Sequence, residues 1–284
     1  MKTYRIGFDL GGTKLSVCVY NAKTNQVELV KQVATGSTPE GIYKDIELLY
    51  RRAMAEIGRK THTVGLGMPG GITRLTYLLE GTDPLVELTR RLDHELVIEN
   101  DANCFALAEA QLGAGKGHDS VFGMTLGTGV GGGLVLNGEL FRGSNNLAGE
   151  WGHTCLYPLG HPATRRCWCG QSGCVEAHVS GRALEDHYES ATGLKLPATT
   201  IIDENTLFSH EYIEDFGLAT ANLINVLDPQ CIVIGGGVSK SRELFTQGLE
   251  QVERHIFGHQ LRTKIVPSHL GDDAGVIGAA LLGV

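Results

Sequence analysis

RIGFDLGGTKLSVCVYNA, residues 5–22, and VFGMTLGTGVGGGLVLNG, residues 121–138, share one layout: an alternating apolar strand, a glycine turn and a second apolar strand. With Asp9 set against Thr125 the offset is 116 residues, about one domain, so two similar halves are expected. Outward from the first hairpin, a third strand is expected near Gln26 to Val33. A helix then opens at Thr38-Pro39-Glu40, places Ile42, Ile46, Leu49, Ala53 and Ile57 at steps of three or four, and stops at Gly58. Val64 to Gly67 and Leu96 to Glu99 read as short buried strands, the second delivering Asp101 to the start of the helical stretch ANCFALAEAQL. Beyond the second hairpin lie a polar, cysteine-bearing segment from Glu150 to Glu176 and helices near Gly181–Glu189 and Tyr212–Leu227. A strand from Cys231 to Ile234, a helix to about Phe257, a strand from Lys264 to Val266 and an apolar helix from Ala274 complete the chain. Strands alternating with helices indicate an α/β protein, its domain boundary expected in the glycine-rich stretch Ala114 to His118.

Glycine accounts for 39 of the 284 residues, about twice the usual ~7%. Such an excess asks for a backbone reason. Asp and Glu (32) outnumber Lys and Arg (24), and a formal charge of -8 argues against a nucleic-acid partner. MKTYRIGFDL enters a strand at once, without the basic start, long apolar core and small-residue cleavage site of a leader. The longest uncharged run, Ser120 to Gly138, is broken by glycines and by Thr125, Thr128 and Asn137, so no membrane span is expected. Seven cysteines, an odd number, read as reduced thiols in a cytoplasmic protein.

Three glycine turns each follow an apolar strand: DLGGT at 9–13, LGTGVGGG at 126–133 and IGGG at 234–237. Without a Cβ in the way, successive backbone N–H groups can converge on a phosphate. A single turn of this kind reads equally well as a tight hairpin. Three in two repeated halves favour a nucleotide held between two domains, although none has the spacing of a Walker A or dinucleotide motif. Asp101, where a strand gives way to a helix, is the candidate general base for phosphoryl transfer to an alcohol, with helix capping as its competing role. Asn100 could hold the alcohol through its amide, and Glu99 is a weaker alternative base, because strand alternation points it the other way.

CWCGQSGC places Cys167, Cys169 and Cys174 within eight residues, and His153 lies fourteen earlier. Three thiolates and one imidazole form a tetrahedral zinc set of the closed, structural kind, with His161 a rival fourth ligand. Such a knuckle would bring Glu150 and Glu176 close enough to accept sugar hydroxyls, whereas solvated surface carboxylates are the plainer alternative. Trp151 and Trp168 flank the loop and either pack or stack on a sugar face, packing being the simpler role.

Taken together, DLGGTK, GMPGG (67–71), ENDAN (99–103), LGTGVGGG, GEWGH (149–153), CWCGQSGCVE (167–176), IVIGGGVS (232–239) and GDDAGVIGAA resemble the ROK family of sugar kinases. The resemblance runs from Ile6 to about Leu282, and the pairing of GExGH with CxCGxxGCxE is highly specific. It implies a two-domain, actin-like and hexokinase-like ATPase fold built on a ribonuclease H-like duplication. The small domain would be residues 1–116 plus a C-terminal helix at about 272–284, and the large one 117–271, with a zinc loop at 153–174. It further implies ATP-dependent phosphorylation of a hexose at its 6-hydroxyl, with magnesium and structural zinc, in a cytoplasmic homodimer. Asp9, Gly11, Gly12, Thr13 and Lys14 would meet the phosphates and magnesium, Gly127, Thr128 and Gly129 would grip the phosphates, and Gly235, Gly236 and Gly237 would lie by the adenosine. Asp101 would be the base, with Asn100, Glu150, His153 and Glu176 on the ring hydroxyls; His153 would serve sugar and zinc at once, alongside Cys167, Cys169 and Cys174.

Two departures bear on the substrate. Gly71 to Leu85 is short, with EGTDP at 80–84 where relatives carry an Asn-rich stretch, and the loop from His153 to Cys167 is longer than in glucokinase-like members. GEWGH leans toward fructose, while NDANCFALAEA and RRCWCGQSGC lean toward N-acetylglucosamine, both ahead of glucose. The alternatives from other classes are a sugar-sensing regulator, for whose DNA-binding helices the first strand leaves no room, and a non-catalytic sugar-binding protein, which the intact Asp101 and glycine loops disfavour.

Overall fold

The structure is a computed structural model that describes residues 3–58, 60–70, 83–204 and 206–283. Gly71 of GMPGG and residues 80–82 of EGTDP lie outside them. The chain divides into two compact units, Met1–Ala108 with Asp272–Val284, and Glu109–Gly271.

The first unit is built on a sheet of β1 (Tyr4–Leu10), β2 (Lys14–Asn21), β3 (Gln26–Ala34), β4 (His62–Met68) and β5 (Val97–Asn100), in the order β3-β2-β1-β4-β5. β1 pairs antiparallel with β2 and parallel with β4, so Asp9 lies opposite Ser16 on one side and Gly67 on the other. Helix α1 (Pro39–Ile57) starts as its sequence predicts: the Thr38 side chain accepts from Gly41 N, proline sits in the first turn, and Gly58 closes the helix at φ +65°. Its face of Tyr43, Ile46, Leu49, Ala53 and Ile57 is buried against the sheet's Ile6, Phe8, Leu15 and Val17. Helix α2 (Pro84–Leu92), capped by Asp83, was not legible in the pattern, and α3 (Asp101–Gln111) follows β5 directly.

The second unit repeats that topology. β6 (Ser120–Leu126), β7 (Val130–Leu136), β8 (Glu139–Phe141), β9 (Cys231–Gly235) and β10 (Lys264–Pro267) lie in the order β10-β9-β6-β7-β8. β6 is antiparallel to β7 and parallel to β9, as β1 is to β2 and β4, and Thr125 takes the place of Asp9. Between β8 and β9 come α4 (Glu176–Val179), α5 (Gly181–Thr192), α6 (Ala198–Asp203) and α7 (Leu207–Leu227). α7 begins five residues before the expected Tyr212, because Thr206 caps it ahead of the apolar pattern. The single helix expected up to Phe257 is instead two short 3₁₀ turns followed by α8 (Gln247–His255). Ser241 causes the break: it is fully buried, its backbone is extended, and its hydroxyl donates to Asp203 Oδ1 at 2.6 Å.

The passage into this unit falls inside α3, ahead of the turns at 114–118 where it was expected. Glu109, wholly buried, explains the position: its carboxylate accepts from Ala114 N, Leu270 N, His269 N and the Ser268 hydroxyl. Those bonds commit the last turn of α3 to the second unit's loops.

The final helix, α9 (Ala274–Leu281), belongs to the first unit. A Cβ on Gly7 would overlap the backbone of Val276 and Ala280, one on Gly65 the carbonyl of Ala279, and one on Gly278 the carbonyl of Cys104. Gly7 and Gly65 thus let α9 lie directly on the sheet, and Gly278 lets it lie directly on α3.

Candidate active site and metal centre

In the first unit, β1 ends at the glycine turn and β5 ends at α3, so parallel pairing through β4 carries Asp9 and Asp101 to the same end of the sheet. The turn is fixed by Gly11 N donating to Lys14 O at 2.9 Å and by the Thr35 hydroxyl donating to Gly11 O at 2.8 Å. Gly12, Thr13 and Lys14 are exposed, and no atom lies within 4 Å of where a Gly12 Cβ would sit. The protein's own packing therefore leaves Gly12 unexplained, whereas a close-approaching ligand accounts for it. Asn100 shares the capping role with Asp101: its Oδ1 accepts from Ala102 N at 2.8 Å and Asn103 N at 3.2 Å, while Asp101 Oδ1 also accepts from Ala102 N at 2.8 Å. Glu99 Oε1 is engaged by Asn100 N and the Asn103 amide, both at 2.9 Å, which ties down the alternative base. Burial first, then the negative charge of Asp101, pushes the Asp9 carboxyl up to about 6, with Lys14 opposing. Two carboxylates that raise one another's cost of ionisation suit a divalent cation.

In the second unit the glycine loop is shorter than its sequence suggests. Only Gly127, Thr128 and Gly129 form the turn, where Gly127 N donates to Gly129 O at 3.0 Å, while Gly131 to Gly133 belong to β7. A Cβ on Gly132 would press on the Phe122 and Trp151 rings at 2.5–2.8 Å, so that glycine serves packing. A Cβ on Gly127 would come 3.9 Å from Gly237 N, placing the turn after β9 next to the turn after β6. Gly236 holds φ +85°, Gly237 has open space at its Cβ position, and Gly235 is the buried end of β9.

The metal set converges. The ligand atoms of His153, Cys167, Cys169 and Cys174 lie within 4.8 Å of one another. Cys167 Sγ is 3.7 Å from His153 Nδ1, and Cys169 Sγ is 3.7 Å from Cys174 Sγ. With Zn–S near 2.3 Å and Zn–N near 2.0 Å, a tetrahedral ion spaces its ligands by about 3.6–3.8 Å, so the donors fit zinc. The turn is built by Gly170 N donating to Cys167 O and Cys167 N donating to Gln171 O, and by isolated antiparallel β-bridges that pair the backbone of Cys155 with Cys174 and of Arg166 with Ser172. Burial, then hydrogen bonds that the Cys174 thiol donates to Cys169 and Cys167, push it up to about 12, and a bound cation would allow such a cluster to ionise. His161, the rival ligand, stands apart: it stacks on Tyr157 at 4.5 Å and accepts from Ala163 N.

Glu176 adjoins both loops. Its Oε2 accepts from Val130 N at 2.9 Å, immediately after the glycine turn, and its Oε1 accepts from the Trp168 indole N–H and lies 4.0 Å from Cys167 Sγ. Glu150 is exposed and makes no capping bond to the 3₁₀ turn Trp151–His153 that it precedes. The two tryptophans diverge: Trp151 is buried with its N–H on Gly131 O, while Trp168 is 71% exposed.

One network had no sequence signal. The Tyr157 hydroxyl donates to Asp215 Oδ1 at 2.6 Å, and His178 Nδ1 lies 3.3 Å from Asp215 Oδ2. It ties the metal loop and α4, which begins with Glu176, to α7 across residues far apart in the chain.

Residues 5–283 match the ROK family. The chain is 37% identical over 301 residues to the N-acetyl-D-glucosamine kinase of Pectobacterium atrosepticum, covering 97% of each protein. Among solved structures, it resembles the ROK hexokinase of Thermus thermophilus (TM-score 0.86, 30% identity, 99% of this chain and 97% of that one). It also resembles a ROK family glucokinase from Streptomyces griseus solved with glucose and AMPPNP (TM-score 0.78, 29% identity, 99% of each).

Proposed function

Because the chain belongs to the ROK family, with its actin-like ATPase fold, and is a sugar kinase, we propose that it transfers the γ-phosphoryl group of ATP to the 6-hydroxyl of N-acetylglucosamine. Asp101 takes the hydroxyl proton as the sugar oxygen bonds to phosphorus and the bond to the ADP oxygen breaks. The observation that carries this role is that the parallel pairing of β1, β4 and β5 brings Asp101 to the same sheet end as Asp9 and the glycine turn, close enough for its charge to act on the Asp9 carboxyl. The backbone N–H groups of Gly11 to Lys14, of Gly127 to Gly129 and of Gly235 to Gly237 bind the nucleotide. Asn100, Glu150, His153 and Glu176 hold the sugar hydroxyls. Asp9 and the adjoining turn would hold magnesium, which would neutralise phosphate charge. His153, Cys167, Cys169 and Cys174 would hold zinc, which would cross-link the loop that carries them. ATP as donor places the reaction in the cytoplasm, and the acting species is a homodimer, which light scattering tests. Among the described residues, no helix is long and apolar enough to cross a membrane.

The test is ADP release with N-acetylglucosamine, fructose, glucose, mannose and N-acetylmannosamine. N-acetylglucosamine is expected to give the highest kcat/KM, and turnover of fructose alone would correct the substrate. Asp101→Asn is expected to lower kcat by about 10²–10⁴ with sugar binding retained. Activity close to the unaltered level in that variant removes Asp101 from the chemistry.

A further inference from the structure

Trp168 is an aromatic side chain displayed to solvent and fixed in the metal loop, between Cys167 and Cys169. The turn that carries it is held by Cys167 N on Gln171 O at 2.9 Å and Gly170 N on Cys167 O at 3.1 Å. Its ring meets that of His153 edge to face, with centroids 5.3 Å apart and planes at 77°, and its N–H is on Glu176 Oε1. Burial in the core explains Trp151, which is 7% exposed, and does not explain Trp168, which is 71% exposed. Two of the side chains that Trp168 touches, His153 and Glu176, are ones the reading above assigns to the sugar.

We propose that Trp168 is a specificity-determining residue of the sugar site, its indole face forming the apolar wall on which the acetamido group of a 2-acetamido-2-deoxyhexose packs. The proposal rests on the assignment of His153 and Glu176 to the sugar. Hydroxyls around a hexose ring need polar partners, and the carboxylate and imidazole supply them. An acetamido group is different, because its methyl and planar amide gain little from such partners and much from a flat aromatic surface. The ring is already oriented by its contacts with Glu176 and His153 and by the ligand-bearing turn, so little side-chain freedom is lost when a sugar covers it. Glu176 is steadied at the same time, by the indole N–H on one oxygen and Val130 N on the other.

The experiment compares Trp168→Ala and Trp168→Phe with the unaltered protein, using N-acetylglucosamine and glucose and measuring bound zinc in each preparation. In Trp168→Ala, KM for N-acetylglucosamine is expected to rise about tenfold or more with kcat little changed, while KM for glucose moves less than about threefold. Trp168→Phe, which keeps a ring and loses the N–H, is expected to recover most of the N-acetylglucosamine affinity. Equal losses for the two sugars, or no loss for N-acetylglucosamine, overturn the proposal. A second measurement needs no change at Trp168: in Trp151→Phe, Trp168 is the sole tryptophan, and N-acetylglucosamine is expected to shift its emission to the blue and shield it from iodide. If the unaltered protein turns over N-acetylglucosamine and this emission does not respond, the wall is wrong and the kinase reading stands. If the unaltered protein turns over neither sugar, the reading itself fails and the proposal with it.

Discussion

Asp9 pays for its place beside Asp101 with an unfavourable charge at neutral pH. Its carboxyl is raised from 3.8 to about 6, by burial first and by Asp101 second. The folded chain therefore binds that proton more tightly than the unfolded chain does. The resulting stabilisation is fully present below pH ~4 and is lost as pH rises through about 6. Asp9→Asn removes the charge, so its melting temperature at pH 7.5 is expected to exceed that of the unaltered protein by a few degrees. That corresponds to about 1–2 kcal/mol once partial exposure is allowed for, and the gap should close toward pH 4. The same change should lower kcat/KM by about 10² if Asp9 serves magnesium, which would make this a site where stability is given up for chemistry. Thermal melts across pH 4–8 check the first half, and a gap that widens on acidification contradicts it. At this scale the sequence was legible where spacing alone set the chemistry, as in the Cys167, Cys169, Cys174 and His153 set. It was silent on Trp168 lying against Glu176, and on Tyr157, Asp215 and His178, because those partners meet only after the intervening elements pack.

Glycine-rich elements that look alike in the sequence do different work in the fold. Gly12 of DLGGT and Gly127 of LGTG have room at their Cβ positions, whereas Gly129 lies against the Glu176 carboxylate. Gly132 lies inside β7 against Phe122 and Trp151, Gly7 of β1 and Gly65 of β4 are helix-on-sheet contacts, and Gly278 of α9 meets α3. Composition announced that glycine needed a backbone reason, but only packing separates the reasons. Two substitutions should part company on this ground. Gly278→Ala would drive a methyl into the Cys104 backbone, which has no flexible end to move aside, and is expected to destabilise by about 3 kcal/mol or more. Gly12→Ala meets nothing within 4 Å and should stay within about 0.5 kcal/mol of the unaltered stability while raising KM for ATP about tenfold. Urea unfolding and ATP titration check the pair; an unstable Gly12→Ala, or one with unchanged nucleotide affinity, would separate that turn from phosphate binding. Among elements, α1 was legible because Thr38, Pro39 and Gly58 punctuate its apolar face. The break of the helix before α8 was not, since it depends on Ser241 reaching Asp203, 38 residues away in the chain.

The whole molecule is one topology used twice, and the duplication was legible because strand, turn and strand recur with Thr125 where Asp9 stood. What the repeat could not convey is the material inserted between β8 and β9 of the second copy, which holds the entire metal set and four helices. Each unit has its own core, one around Phe8, Leu15 and Leu66, the other around Phe122, Tyr212 and Phe216. A perturbation confined to the metal loop should therefore be read mainly in the second unit. Chelation is the perturbation to use. If the proposed zinc is bound, removing it would leave three packed thiols and His153 without an ion to fix their turn, and Glu176 links that turn to Val130, which follows the glycine loop. Amide hydrogen exchange is expected to quicken at residues 153–176 after treatment with a strong chelator. A smaller increase is expected at Gly129 and Val130, with the β1 and β4 amides of the first unit unchanged. About one zinc per chain should be released in step with the change. Identical exchange at 153–176 before and after treatment, with no metal released, would mean that the four side chains gather for packing alone, and Glu176 would then owe its position to its protein contacts, Trp168 and Val130 among them.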